Sequence, residues 1–224
     1  MKKALMLVLA VGLCAVMFAP SYASEKAVSD NSASIKAALA KIEKLETQTV
    51  CPLSGNAVNE TSGYVFMGYN IRTCCDDCAA GVKKDPLSAI KALRAKGQNP
   101  ALAEGYHVQK NCPMSGKAVV EGMYGIKDNM LVTLCCAGCK KAVAEDIKTV
   151  KTKLNESKAA PVILTLDQTL CPISGHAISK EVSATAKGKK VYMCCAACVD
   201  AFNEKPDEFL QAMADEGVVP DNAS

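Results

Sequence analysis

"CPMSGKAVVEGMYGIKDNMLVTLCCAGC", residues 112–139, opens on Cys-Pro-x-Ser-Gly and closes on two adjacent cysteines followed by a third. The same frame begins as "CPLSGNAV" at Cys51 and as "CPISGHAI" at Cys171. In each copy the doubled cysteine starts 23 residues after the opening one, giving Cys74-Cys75, Cys135-Cys136 and Cys194-Cys195. The last cysteine stands four positions beyond the first of the pair, at Cys78, Cys139 and Cys198. The frame recurs after 61 and then 59 residues, and self-similarity at a near-fixed period is the mark of a chain built from repeated units.

Between its cysteines each copy reads as a β-hairpin. "AISKEVSATA" leads through "KGK" to "KVYM", a β-branched and aromatic run. Six residues before the doubled cysteine stand Gly68, Asn129 and Gly188, residue types that accept positive φ in a tight turn. After the last cysteine the pattern becomes helical: in "CKKAVAEDIKTVKTKLNES" the apolar positions are Val143, Ile147, Val150 and Leu154. Val82, Val143 and Phe202 share one offset, so each helix is expected to turn an apolar face to its own hairpin. "SIKAALAKIEKLE" (34–46) is an amphipathic helix candidate, "ALRAKGQNP" closes the first helix at Gly97 and Pro100, and "PVILTL" (161–166) reads as a strand leading into the third copy. The tail after Gly217, "VVPDNAS", reads as loose. The expected fold class is α+β, three tandem cysteine-rich units of knuckle, hairpin and helix.

The first 24 residues, "MKKALMLVLAVGLCAVMFAPSYAS", place two lysines before an apolar run and end it on small residues, the order of a secretory signal peptide cut after Ala23. The run is short for a bilayer span of roughly 20 residues, and Leu13 argues against a lipid anchor at Cys14. Cleavage removes Cys14 from a total of 13 cysteines and leaves 12, three sets of four. It also removes Lys2 and Lys3 and takes the formal charge from +3 to about +1. That balance, with no Trp and 4% aromatic residues, gives neither the basic face nor the stacking surface of a nucleic-acid binder. The expected organisation is a signal peptide (1–23), a helical segment (24–48) and units at 49–105, 106–160 and 161–224, in a secreted or periplasmic protein.

The opening Cys-Pro-x-Ser-Gly looks like a zinc knuckle whose second cysteine has become Ser, which leaves a tetrahedral site one ligand short. The doubled cysteine can supply the missing thiol. If a helix begins at the pair, Cys75 and Cys78 are spaced i, i+3 and Cys74 and Cys78 i, i+4, both on one helix face. A helix N-terminus also favours thiolate over thiol. On this reading each site holds four sulfurs, and Cys136→Ser weakens metal binding about as much as Cys112→Ser. Oxidation competes with ligation, because exported proteins meet disulfide-forming conditions and 12 is an even set. Adjacent cysteines, with Cα atoms about 3.8 Å apart, do not suit a disulfide that spans about 4.4–6.8 Å; pairings of the Cys51–Cys75 and Cys74–Cys78 types do. A unit of about 35 residues needs either a metal or a disulfide to fold. A redox site is more usually a single Cys-x-x-Cys on a thioredoxin-like βαβ frame, which this pattern lacks.

The spacing Cys51-x22-Cys74-x3-Cys78, with "CP.SG" before it and an apolar lead into "CC..C", resembles the YHS/TRASH family of heavy-metal-binding domains over roughly residues 49–215. The third copy matches best, with Gly188, Tyr192, Phe202, Pro206 and Phe209 at family positions. The first keeps Pro86 but has Val82 for the Phe, and the second has neither, with Ile147 at the Pro position. The resemblance implies a small treble-clef-like fold, found in metal sensing, trafficking and resistance, and gives Cys51, Cys74, Cys78 and their equivalents as ligands. Cys75, Cys136 and Cys195 join them on spacing alone. The expected function is non-enzymatic binding of zinc or copper(I), about one ion per unit, for sequestration, handoff or structure. The expected partners are metal ions and an exported metal-transport or other protein, without nucleic acid or stable membrane insertion. A disulfide-stapled interaction module and a thiol–disulfide oxidoreductase are the alternatives. His176 follows the third knuckle but aligns with Asn56 and Lys117, so it reads as a surface residue; His107 reads as a strand residue. The methionines form no Met-x-x-Met cluster and read as core filler.

Overall fold

A computed structural model describes residues 24–223; the expected signal peptide, with Cys14, lies outside the described residues. The fold is mixed α+β, with seven helices and small sheets of two or three strands among the described residues. The helices are α1 (Ser24–Ile42), α2 (Asp76–Lys84), α3 (Pro86–Ala95), α4 (Ala137–Glu145), α5 (Ile147–Glu156), α6 (Ala196–Glu204) and α7 (Pro206–Asp215).

The three hairpins form where the turn residues place them. Gly63–Phe66 pairs with Tyr69–Arg72, Tyr124–Lys127 with Met130–Thr133, and Ser179–Ala186 with Lys189–Met193, all antiparallel. Both turn residues have positive φ in each case: Met67 and Gly68, Asp128 and Asn129, Lys187 and Gly188. That is the backbone a two-residue hairpin turn requires to match strand twist. Each hairpin gains a third, two-residue strand from chain that follows the helices: Ala101–Leu102, Val162–Ile163 and Asp221–Asn222. Residues 161–166 therefore complete the second hairpin's sheet before the third knuckle begins. The tail is not loose either. Val219 is buried, and Asp221–Asn222 closes the third sheet against Lys189 and Lys190.

The helical stretch after each cysteine cluster is two helices, not one. The break falls at Asp85, Asp146 and Lys205. Two start signals act here, and one suffices. Asp85 accepts a hydrogen bond from the Ser88 N–H and precedes Pro86; Asp146 accepts from the Thr149 N–H with no proline; Lys205 caps nothing with its side chain but precedes Pro206. An acidic N-cap and a proline at the first helical position each favour a new helix. This is why the second segment breaks in register despite having Ile147 where the others have proline.

Val82, Val143 and Phe202 are all buried under their hairpins, as their shared offset predicts. One core joins the first two cysteine segments through Ile71, Ile90, Leu93, Val132, Leu134 and Leu154, and a second core gathers around Val191, Met193 and Phe202. α1 covers the outer face of the second hairpin, where Ile35 meets Leu131 and Leu164.

Contacts between segments run head to tail. The first hairpin turn meets Tyr106 and Ala160, so that a Cβ added at Gly68 would lie 2.5 Å from the Tyr106 ring. The second turn meets α7: the Asn129 N–H donates to the Ala214 carbonyl, and the Asn129 amide to the carbonyls of Leu164 and Val218. The third returns to α3 of the first segment, where Lys189 binds Asp85 and Ser88 and Lys91 binds Asp221. Buried Arg94 adds a further tie, donating to the Ile163 carbonyl, the Thr165 hydroxyl and Asn99.

Candidate metal centres

Each opening cysteine is fixed by a knuckle of the same construction. The N–H of Cys51 donates to the Asn56 carbonyl and the N–H of Gly55 to the Cys51 carbonyl, with Gly55 at φ +77°. Cys112 with Lys117 and Gly116, and Cys171 with His176 and Gly175, repeat this. The positive φ at glycine lets the loop close beneath the sulfur. The remaining cysteines arrive from the end of the hairpin and the first turn of the helix.

The sulfurs converge as three groups of three: Cys51, Cys74 and Cys78; Cys112, Cys135 and Cys139; Cys171, Cys194 and Cys198. Within each group all three Sγ atoms lie within 4.8 Å of one another. The Cys74–Cys78, Cys135–Cys139 and Cys194–Cys198 separations are 3.8, 3.8 and 3.6 Å. Zinc–thiolate bonds of about 2.3 Å place tetrahedral ligands about 3.8 Å apart, so the spacing suits a shared thiophilic ion. All 12 cysteines among the described residues are free thiols.

Cys75, Cys136 and Cys195 are placed differently. They are exposed and stand outside the three mutually close groups. The helix starts one residue after the pair, so each is an N-cap with extended backbone, φ −158° to −163°, rather than a first-turn residue. Each still touches the rim: Cys136 Sγ is 3.5 Å from Cys139 Sγ, and Cys195 Sγ 3.6 Å from Cys198 Sγ.

The serine that replaces the second knuckle cysteine faces the cluster. Ser54 Oγ lies 3.2 Å from Cys74 Sγ, Ser115 Oγ 3.1 Å from Cys135 Sγ and Ser174 Oγ 3.2 Å from Cys194 Sγ. Its influence extends to the opening thiol. Burial opposes ionisation of Cys51, but hydrogen bonds from the backbone and hydroxyl of Ser54, with those from Cys74 and Leu53, outweigh it and bring the thiol down to about 6. Cys112 comes down to about 6 and Cys171 to about 7 by the same balance of burial against serine and backbone hydrogen bonds. At the helix the reverse holds. Cys78 is pushed up to about 12, first by its hydrogen bond to Cys75 and then by burial; Cys139 is pushed up likewise by Cys136, and Cys198 by burial first. Each group thus combines a thiolate at its back with a proton held at the helix, and an incoming cation would displace that proton.

Three glutamines tie this geometry together and were missed in the pattern of cysteines. Gln48, Gln109 and Gln168 each stand three residues before an opening cysteine, so the sequence did carry the signal. The Gln109 amide donates to the carbonyls of Asn111 and Thr133, while its oxygen accepts from the Thr133 N–H. Gln48 does the same between Val50 and Arg72, and Gln168 between Leu170 and Tyr192. The strap joins the strand entering the knuckle to the strand entering the doubled cysteine, fixing the distance between Cys112 and Cys135. Gln109→Leu leaves those backbone groups unpaired and is expected to cost about 2 kcal/mol of stability. Urea unfolding would measure this; a loss below about 0.5 kcal/mol would mean that the strap bears no strain.

His176 is exposed and stands outside the group of Cys171, Cys194 and Cys198, and His107 lies in a short exposed strand, His107–Val108. No family model, curated protein or solved structure matches the chain.

Proposed function

We propose that the protein binds three thiophilic metal ions, zinc or copper(I), one at each cluster of three sulfurs. The observation that carries this reading is the convergence of nine thiols from distant positions into three groups with every Sγ within 4.8 Å of its partners. Thiolates select copper(I) and zinc over harder ions. Three sulfurs satisfy copper(I), whereas zinc would add water as a fourth donor. The spacing resemblance to YHS/TRASH heavy-metal-binding domains, with a treble-clef-like unit in three tandem copies, supports the same reading. The leader-like N-terminus adds export, to the periplasm or outside the cell, and no described helix is long and apolar enough to cross a membrane. Sequestration or handoff to an exported partner is the role such sites would serve, without catalysis by the protein.

Anaerobic purification, elemental analysis and a thiol count on one sample test the proposal. The expected result is about three ions per chain, one for each of the three groups, and 12 free thiols once the metal is chelated. Metal-free protein without free thiols would overturn it in favour of a disulfide-stapled interaction module. Turnover in an insulin-reduction assay would favour an oxidoreductase.

A further inference from the structure

Among the described residues the N-cap cysteines are the one set of thiols that stands outside the three mutually close groups. Cys136 and Cys195 begin the runs Cys136-Ala137-Gly138-Cys139 and Cys195-Ala196-Ala197-Cys198, and each lies against the last cysteine of its group at 3.5 and 3.6 Å. A disulfide holds its sulfurs about 2.05 Å apart, so these Sγ atoms need approach by only about 1.5 Å, which side-chain rotation with a slight shift of the extended N-cap backbone supplies. Exposure sorts the order of events. Within the second and third groups Cys112, Cys171 and Cys198 are buried, Cys135, Cys194 and Cys139 are half-buried, and Cys136 and Cys195 are the exposed thiols that an oxidant meets first.

We propose that Cys136 and Cys195 are redox latches on the second and third metal groups, each able to pair with the last cysteine of its group and so withdraw a ligand from the ion. The inference rests on the metal-binding reading. The oxidant is a disulfide of the glutathione class. The Cys136 thiolate attacks one sulfur of that disulfide, its S–S bond breaks, and one thiolate leaves and takes up a proton. The Cys139 sulfur gives up its metal bond or its proton, attacks Cys136 and expels the second thiolate. Two protein thiols lose two electrons, the small disulfide gains them as two thiols, and the ion is left on Cys112 and Cys135 alone. The third group follows the same steps through Cys195 and Cys198.

The first segment supplies an internal comparison. Between Cys75 and Cys78 it carries Asp76 and Asp77, whereas no acidic residue stands in the first turn of α4 or α6. Two carboxylates beside the attacking sulfur repel an anionic disulfide, so the first group should release its ion more slowly than the others.

The full chain loaded with zinc, exposed to oxidised glutathione in the presence of a colorimetric zinc indicator, tests the latch. Wild-type protein should release two of its three ions quickly and the third slowly. The double variant Cys136→Ser with Cys195→Ser should hold three ions before oxidation and release them at least tenfold more slowly. Zinc content before oxidation reads the metal-binding proposal, and the difference in release rate reads the latch. Equal release rates, or a Cys135–Cys139 disulfide by fragmentation mass spectrometry, would overturn the latch. A drop in the variant's initial zinc content would also overturn it, by making Cys136 and Cys195 ligands.

Discussion

Cys112→Ser is expected to remove one ion from the protein, lowering the stoichiometry from three to two while the groups at Cys51 and Cys171 stay loaded. Structural zinc in small domains is worth about 10–16 kcal/mol at neutral pH, so one thiolate among three or four carries roughly 3–5 kcal/mol. That corresponds to a loss of affinity on the order of a thousandfold at the altered site. Cys112 is also the buried thiol of its group and the one held down to about 6, so serine there loses both the charge and the fixed position. Cys136→Ser should differ sharply, with less than a tenfold loss, because its sulfur lies outside the mutually close group. Titration of both variants against a chelator of known affinity checks the contrast. Equal losses would restore the four-sulfur arrangement expected from spacing.

Phe202→Ala is expected to be the most damaging change away from the metals. Phe202 is fully buried at the centre of the third core and stacks on Phe209 with ring centroids 6.2 Å apart. Truncating a buried Phe costs about 3–5 kcal/mol through lost transfer energy and the cavity that remains. For a chain of this length each kcal/mol lowers the melting temperature by roughly 2–4 °C, a fall of roughly 6–20 °C in all. Thermal unfolding of the metal-loaded protein, at equal metal content for wild type and variant, would show it directly. A shift under 2 °C would mean that Val191 and Met193 hold this core without the ring.

The parts of the fold that were legible are those set by local chemistry. Gly68, Asn129 and Gly188 announced their turns because few residues accept positive φ, and Val82, Val143 and Phe202 announced the buried helix face by a shared offset. The helix start was misplaced by one residue, a small error with a chemical consequence. A first-turn Cys75 would sit among the sulfurs, whereas the N-cap Cys75 is exposed at their rim, 3.8 Å from Cys74 Sγ. Asp146 shows why the break between the paired helices went unread: a side-chain cap starts a new helix as proline does and is a weaker mark in a sequence. The strand at Asp221–Asn222 was hidden for another reason. Pro, Asp and Asn favour turns, and the partners Lys189 and Lys190 lie about 30 residues away, so tertiary pairing overrides propensity. Gln48, Gln109 and Gln168 were visible all along, but a lone polar residue before a cysteine has no local rule attached to it.

The head-to-tail contacts bear on how such a chain can grow. Each hairpin turn is received by the segment after it, and the third is received by the first, through Lys189 on Asp85 and Lys91 on Asp221. Heterologous contacts of this kind run on indefinitely unless their rotation brings the last element back to the beginning. Here it does. Gene duplication could add a fourth copy only by prising apart the seam between the first and third, and deletion of the third would strip the buried Asn129 of its acceptors at Ala214 and Val218. The count of three segments is therefore tied to the closed contacts between the first and the third.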